Sequence, residues 1–397
     1  MKKIIKIFLA IIIIPLLILI RIISPIILIR FHPINSQRLG HFLSNVEIYL
    51  CEKKFFKRRK IIIDLNFFNF DRTAKKQICN FQVGLMIKRK LNILPTKLIY
   101  PFFYFNSFFK DKEKFIAKNF YSDRDAHGLF DQYKNNFEFT KDEEERGQEL
   151  LRGLGIKKGD KFICLNVRDS AFLESYFSNK DFSYHQYRNW DIANFQLAIE
   201  ELINKNYFVI RVGKKSYSKL NLQSKKYIDL NNNFDDDFLD IYLGAKCDFC
   251  ITTQSGFDSI PYVFRRPILY LTVPISHFHI SSKRYLLATK HHFLKGNKIS
   301  LNSLLKKNLF HFNYNKEFEE NDLELKELSQ TEILNLTIDM LNILNDKINI
   351  DAERDKQNLF WKNFLESNKN IKKTKNLHVV SEAIFAPSLY KKMISDV

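Results

Sequence analysis

The sequence predicts an α/β fold with doubly wound, mainly parallel sheets, on three observations. Short apolar runs of strand length, such as Phe162 to Leu165, YFVIRVG and PILYLTV, end in polar residues or glycine and alternate with stretches of helical period. Hydrophobic residues make up 45% of 397, enough for the cores of two or three domains and too many for a disordered chain. Five cysteines, Cys51, Cys79, Cys164, Cys247 and Cys250, are odd in number and scattered, which fits a reducing compartment and no disulfide framework.

The formal net charge of +19 points to anionic partners: nucleic acid, an acidic membrane surface or phosphorylated small molecules. The chain is also rich in Ile, Asn, Lys and Phe, a bias that an AT-rich genome produces unaided, so the charge is discounted. Residues 1–25 read as a hydrophobic membrane anchor. Ile7 to Ile20 carry no charge, Lys2, Lys3 and Lys6 precede them, and no small-residue cleavage site follows. Snorkelling by Lys6 and Arg21 would lengthen the apolar core. Positive flanks on both sides and Pro15 favour a shallow or re-entrant cytoplasmic insertion, with a simple span that puts the body outside as the alternative.

Residues 26–155 form the first predicted domain. Ile26 to Phe31 reads as a strand, His41 to Lys54 as a helix and Ile61 to Leu65 as the next strand, a βαβ unit. Arg38, Gly40 and His41 stand at its strand-to-helix turn, where glycine admits a close backbone approach and free helix N–H groups favour an anion or a sugar hydroxyl. A helix is expected from Gln77 to Asn92, and the run PFFYFNSFF at 101–109 reads as core. The helix EEERGQELLRGL ends at turn glycines, so Gly153, Gly155 and Gly159 are not a dinucleotide fingerprint, whose strand and helix come in the opposite order.

Residues 156–376 form the second predicted domain. The strand KFICLNVRD stops abruptly at Asn166, Arg168 and Asp169, and ligands in open α/β sheets bind beyond such strand ends. Arg168 offers a planar fork of donors to phosphate oxygens; an ordinary salt bridge to Asp169 is the competing role. A long loop follows, Ser170 to Trp190, with Tyr184, His185, Tyr187 and Arg188, and loops of this length are usually functional. Asn189 or Asp191 then caps a helix, and YFVIRVG ends in Arg211 and Gly213 with Lys214 next. A short strand near Tyr227, a helix led by Asp235 to Asp237, the strand DFCITT, the turn at Ser255 and Gly256, a helix to Arg265 and PILYLTV complete the alternation. Ser255 with Asp258 reads as a capping-box-like helix start, which is also a cradle for a diphosphate. Cys247 and Cys250 straddle a helix end and a strand start, a placement that suits packing.

The ordered set RLGHFLSNVEIYLCE, LNVRDSAF, YHQYRNWD, VIRVGK, DDFLDIYLGAKCDFCITTQSG and SEAIFAPSLY resembles a family of bacterial glycosyltransferases tied to surface-polysaccharide loci. More distantly, VRD is similar to the H-x-R-R-x-D segment of fucosyltransferases, with Asn166 in place of His and Asp169 in place of the second Arg. The resemblance implies a GT-B fold: two Rossmann-like domains facing across a cleft, a nucleotide sugar held by the C-terminal one, no metal and no cofactor. It implies donor binding by Arg168, with Asn166, Arg211, Gly213, Lys214, Thr253, Ser255 and Gly256 as neighbours. Acceptor or loop roles fall to Arg38, Gly40, His185, Tyr187 and Arg188, and residues 377–397 become a crossover helix.

Transfer to an acceptor hydroxyl builds negative charge on the departing diphosphate, and cationic and helix-terminal donors meet that need. An inverting enzyme also requires a base, for which His41 is the first candidate and Asp169 the second. His277, His279, His291 and His292 have no acidic or cysteine partner at helical spacing and are assigned to loops. The expected partners are a nucleotide-sugar donor, a glycan or lipid-linked acceptor and the cytoplasmic membrane surface, without nucleic acid. The rival reading is a membrane-tethered, non-enzymatic scaffold binding nucleic acid or anionic lipid, for which KKFFKRRK at 53–60 speaks.

Overall fold

The computed structural model describes residues 3–56, 60–70, 76–117, 125, 127–176, 183–232, 235–272, 282–369 and 383–394. The middle of the KKFFKRRK stretch, both His277 and His279, and the beginning of the predicted tail helix lie outside the described residues. The protein is α/β with parallel sheets, and the chain divides into two compact units: residues 1–123 with 136–138, and residues 124–135 with 139–397.

The first unit contains α1 (Lys3–Ile23), β1 (Ile27–Asn35), α2 (Leu39–Phe55), β2 (Ile61–Asn69), α3 (Phe81–Lys90) and α4 (Thr96–Asn106). β1 and β2 pair in parallel with α2 as the crossover, and His32 stands opposite Asn66. The strand runs past the predicted stop at Phe31 because His32 and Ile34 are buried, and Pro33 is tolerated where a two-stranded sheet has only edges. Where the sequence predicts a doubly wound sheet, the described residues of this unit pair these two strands and otherwise form isolated bridges at Ile93 and Ile116.

α1 is built into this unit. Its Ile13 and Leu17 are buried in a cluster with Phe31, Phe67 and Phe105, against which the rings of Tyr100, Phe102 and Phe103 pack. Arg21, expected to snorkel, is instead tied inward. It donates to Asp111 Oδ1 at 3.0 Å and Asn106 Oδ1 at 2.8 Å, and lies 3.7 Å over the Phe109 ring. Among the described residues, no helix is long and apolar enough to cross a membrane.

The second unit adds the helices α5 (Leu129–Gln132), α6 (Lys141–Gly153), α7 (Ala171–Tyr176), α8 (Gln196–Asn204), α9 (Asp237–Lys246), α10 (Ser259–Val263), α11 (Leu301–Lys306), α12 (Asn315–Glu319), α13 (Gln330–Leu344), α14 (Ile350–Lys369) and α15 (Pro387–Ile394). Its strands are β3 (Lys161–Asn166), β4 (Tyr207–Arg211), β5 (Tyr227–Asp229), β6 (Cys250–Thr252), β7 (Ile268–Leu271), β8 (Tyr285–Ala288), β9 (His291–Leu294), β10 (Asn297–Ile299), β11 (Leu323–Lys326) and β12 (Ile384–Phe385). Seven of them form one parallel sheet in the order β12, β8, β7, β6, β3, β4, β5. The chain starts at β3, winds outward through β4 and β5, then returns to the other side of β3 at β6. That reversal puts the topological switch point between β3 and β6, where Asn166 pairs with Thr252.

α6, which the sequence reading places in the first domain, packs in this unit: Gly147 lies beneath the Tyr242 ring of α9. The tail read as a crossover helix supplies the edge strand β12 and then α15. Gln357 bonds both backbone groups of Phe385, at 2.8 and 2.7 Å, and Ser388 N donates to Asp339 at 2.8 Å. A small antiparallel sheet, β10, β9, β11, stands where the sequence suggests loops. Its first hairpin turns on Lys295 and Gly296, both at positive φ.

Candidate functional site

β3 is buried from Phe162 through Asn166, so its side chains are fixed before the chain reaches the surface. Asn166 then braces three strand ends. Its Nδ2 donates to Val212 O beyond β4 at 3.1 Å, and its Oδ1 accepts from Ser255 Oγ beyond β6 at 2.5 Å. Arg168 N donates to Thr253 Oγ1 at 2.8 Å, which holds the β3 exit against the β6 exit. Asn166 and Thr253 are thus supports for the turn.

The guanidinium of Arg168 leans along the following loop and donates from Nη1 to His185 O at 3.2 Å. Among the described residues no carboxylate forms an ion pair with it. Burial, and then the nearby charge of Arg188, bring its pKa down to about 10. Arg188 comes from the loop's last turn and donates to Gln254 O at 3.2 Å; Gln254 itself has φ +63°. A third cation, Lys290, is buried against the Trp190 ring and meets Glu327 at 3.4 Å. Burial depresses its pKa, Glu327 opposes this, and Arg168 adds to it. Three cations therefore crowd the carboxyl end of the switch-point strands, two of them disfavoured in their charged form. An anion placed there would relieve both.

The salt bridge between Arg168 and Asp169, the competing role for the arginine, does not form. Asp169 accepts from Ala171 N at 3.0 Å, Ser216 Oγ at 2.6 Å and Tyr217 N at 2.8 Å, which organises two loops. These three donors leave one of the roughly four acceptor sites of the carboxylate open. The reading of Arg211 as a donor contact is corrected. It is 1% exposed and donates to Ser218 O, Asp229 and Ser216 Oγ, so it cannot reach a ligand. Lys214 bonds Asp235 at 2.7 Å and Asp237 at 2.8 Å. Burial opposes its charge, yet these two partners carry its pKa well above the usual lysine value. Gly213 is required by the backbone, with φ +142° and a Cβ there meeting the Asn231 side chain.

Ser255 does not begin a helix. α10 starts at Ser259, and Ser255 Oγ instead accepts from Phe257 N at 3.1 Å, while Gly256 O accepts from Ser259 Oγ at 2.7 Å. The aromatic loop is anchored more firmly than its composition suggests. Tyr187 OH donates to Asn313 O at 3.0 Å and its ring packs 5.0 Å from Phe318, while burial pushes its pKa up to about 12. The His185 ring stacks on Tyr314 at 5.8 Å, and Tyr184 and Tyr314 keep exposed edges beside it.

Arg38, Gly40 and His41 belong to the first unit. Arg38 is the N-cap residue of α2 with no side-chain cap bond, and Gly40 and His41 are in the helix's first turn. The space beside Gly40 is open, and its backbone is helical. His291 and His292 are strand residues, not loop residues, and His291 pairs with Glu332 at 2.9 Å, an acidic partner far away in sequence. Lys290, Gln254 and Ser216 escaped the sequence reading because no local pattern marks them. A cavity of about 420 Å³ opens at the other end of the sheet by Lys161, Tyr207 and Lys347 and holds none of these residues.

No protein-family model and no curated protein matches the chain. Among solved structures, the chain is similar to Escherichia coli ADP-heptose LPS heptosyltransferase II, at 12% identity over 68% of this chain and 92% of that one, with a TM-score of 0.33. A glycosyl transferase of family 9 from Veillonella parvula gives 12%, 66%, 85% and 0.37. The iron-containing dodecameric glycosyltransferase TibC of enterotoxigenic E. coli gives 12%, 81%, 77% and 0.37. Likenesses of this size carry no argument about function, which rests on the site.

Proposed function

We propose that the protein is a glycosyltransferase of GT-B type that moves a sugar from a nucleotide-sugar donor to a hydroxyl of a glycan or lipid-linked acceptor in surface-polysaccharide synthesis, without a metal. One observation carries the reading: the Arg168 guanidinium, half-buried and without a carboxylate partner among the described residues, sits with Arg188 at the switch point of a parallel sheet. In this reading the two arginines bind the diphosphate. Their charge is worth most as negative charge grows on the leaving group, because they are already positioned and partly desolvated. The exposed rings of Tyr184 and Tyr314 offer a face to the base or the sugar. His41 is proposed as the base.

The test is isothermal calorimetry against UDP-, GDP-, ADP- and CMP-sugars. The cognate donor should bind, and Arg168→Ala should weaken it at least about tenfold, the loss of charge-assisted hydrogen bonds worth roughly 1.5 to 3 kcal/mol. Arg168→Lys should rescue poorly, because it keeps the charge but not the fork. His41→Ala should lower turnover and leave donor affinity intact, and turnover should survive a chelator. A well-folded Arg168→Ala protein with unchanged nucleotide affinity would refute the assignment.

A further inference from the structure

We infer that the first unit docks on an anionic phospholipid bilayer through the outer face of α1, lying in the membrane surface while its inner face stays in the protein core. This inference does not depend on the glycosyltransferase reading. Large apolar side chains exposed singly are ordinary, but α1 exposes nine of them on one element, including Phe8 at 69%, Ile11 at 67% and Ile22 at 68%. At roughly 100° per residue, the exposed positions sweep from Ile14 through Ile7, Ile11 and Phe8 to Leu16, an arc of about 200°. The buried positions Ile13 and Leu17 occupy the remaining side, with Leu9, Ala10 and Ile20 partly buried beside them.

That width decides between occupants. A second copy of the helix would use a narrow stripe, whereas a hydrocarbon phase covers any exposed apolar surface without regard to direction. Charge points the same way. The chain has no acidic residue before Glu47, and six cations precede it: Lys2, Lys3, Lys6, Arg21, Arg30 and Arg38. Leu98 and Phe108, on and just beyond α4, are exposed large apolar side chains of the same unit, and exposed Lys97 and Lys110 lie close to them in sequence. Asp111 is matched by Arg21. Lysines beside an inserted apolar face are what an anionic headgroup layer attracts.

Arg21 makes the geometry specific. Its bonds to Asp111 and Asn106 clamp the far end of α1 to the unit, so a helix that left to span the bilayer would break them and uncover Phe31, Phe67 and Phe105. The helix therefore enters the interface sideways, carrying its unit with it.

Flotation of the full-length protein with phosphatidylcholine vesicles, with and without phosphatidylglycerol, tests the inference. The protein should float with the anionic vesicles. The double variant Ile11→Glu, Ile18→Glu, within the exposed arc, should cut the bound fraction at least tenfold at an unchanged melting temperature. Amide exchange in β1 and β2 should stay as slow on vesicles as in solution. The inference fails if the variant floats like the parent, or if exchange in β1 and β2 rises on binding, which would mean that α1 leaves the core. It fails equally if sedimentation shows a dimer that the variant dissolves while the parent does not float, because α1 then covers a second copy.

Discussion

At the scale of single residues, the arginines of the second unit separate by environment. Arg168 and Arg211 both follow apolar strand runs and both end near the switch point. Only burial tells them apart: Arg211 is closed in with Asp229, Ser216 and Ser218, while Arg168 is half-buried and its guanidinium donates to His185 O. Arg211→Leu should therefore cost about 3 kcal/mol of stability, since it strands Asp229 and the polar groups around it. Calorimetric unfolding should show that loss in Arg211→Leu and nearly none in Arg168→Ala, with ligand affinity behaving the other way round. His32 makes a pH prediction. Burial lowers its pKa from 6.5 to about 4, with Asn66 accepting from Nδ1 at 2.8 Å in partial opposition. The folded value lies below the unfolded one, so the neutral ring's contribution is complete above pH 6.5 and is lost as the pH falls from 6.5 towards 4, by about 3 kcal/mol in all. His32→Gln should flatten the acid limb of the stability curve over that window; an unchanged acid limb would overturn the assignment.

At the scale of elements, α6 shows propensity losing to packing. Thr140 caps it through Glu143 N, and Glu143 returns the bond to Thr140 N, so Thr140→Ala should cost about 1 kcal/mol. Gly147 in the helix interior would ordinarily gain roughly 1 kcal/mol on replacement by Ala. Here an added Cβ would fall inside the Tyr242 ring, so the sign reverses. Thermal denaturation of Gly147→Ala should show a lower melting temperature, and a higher one would mean that α6 does not pack on α9 in this way. The β1 and β2 strands and their crossover were legible because their apolar positions and turn residues are local. The β9 to β11 sheet was not, since four-residue strands such as HHFL carry no period of their own and β9 finds its second partner, β11, about thirty residues on.

At the scale of the whole molecule, the first and last stretches of the chain behave alike, because each looks separable in sequence and neither is. Residues 3–23 hold part of the first unit's core, so deleting them should unfold that unit as well as abolish any vesicle binding. Leu17→Ala, which only opens a cavity there, should cost roughly 2 to 5 kcal/mol by denaturant titration. The tail enters the second unit through β12, whose register against β8 is set by Ile384 opposite Leu286.

The sequence by itself determined the α/β class, the parallel run of strands from Lys161 to Leu271, the helix ends marked by Asp236 and Gly155, and the choice of Arg168 as the residue to test. These follow from the period of apolar residues and from turn chemistry, both short-range properties. Only the tertiary structure decided which polar residues at the strand ends are available. Asn166, Thr253, Asp169 and Lys214 find partners 21 to 89 positions away, and those bonds turn candidate ligands into supports. It also decided that α1 has an inner face. An apolar run reads the same in sequence whether lipid or protein covers it, and the difference lies in the Phe31, Phe67 and Phe105 side chains that the fold brings beneath Ile13 and Leu17.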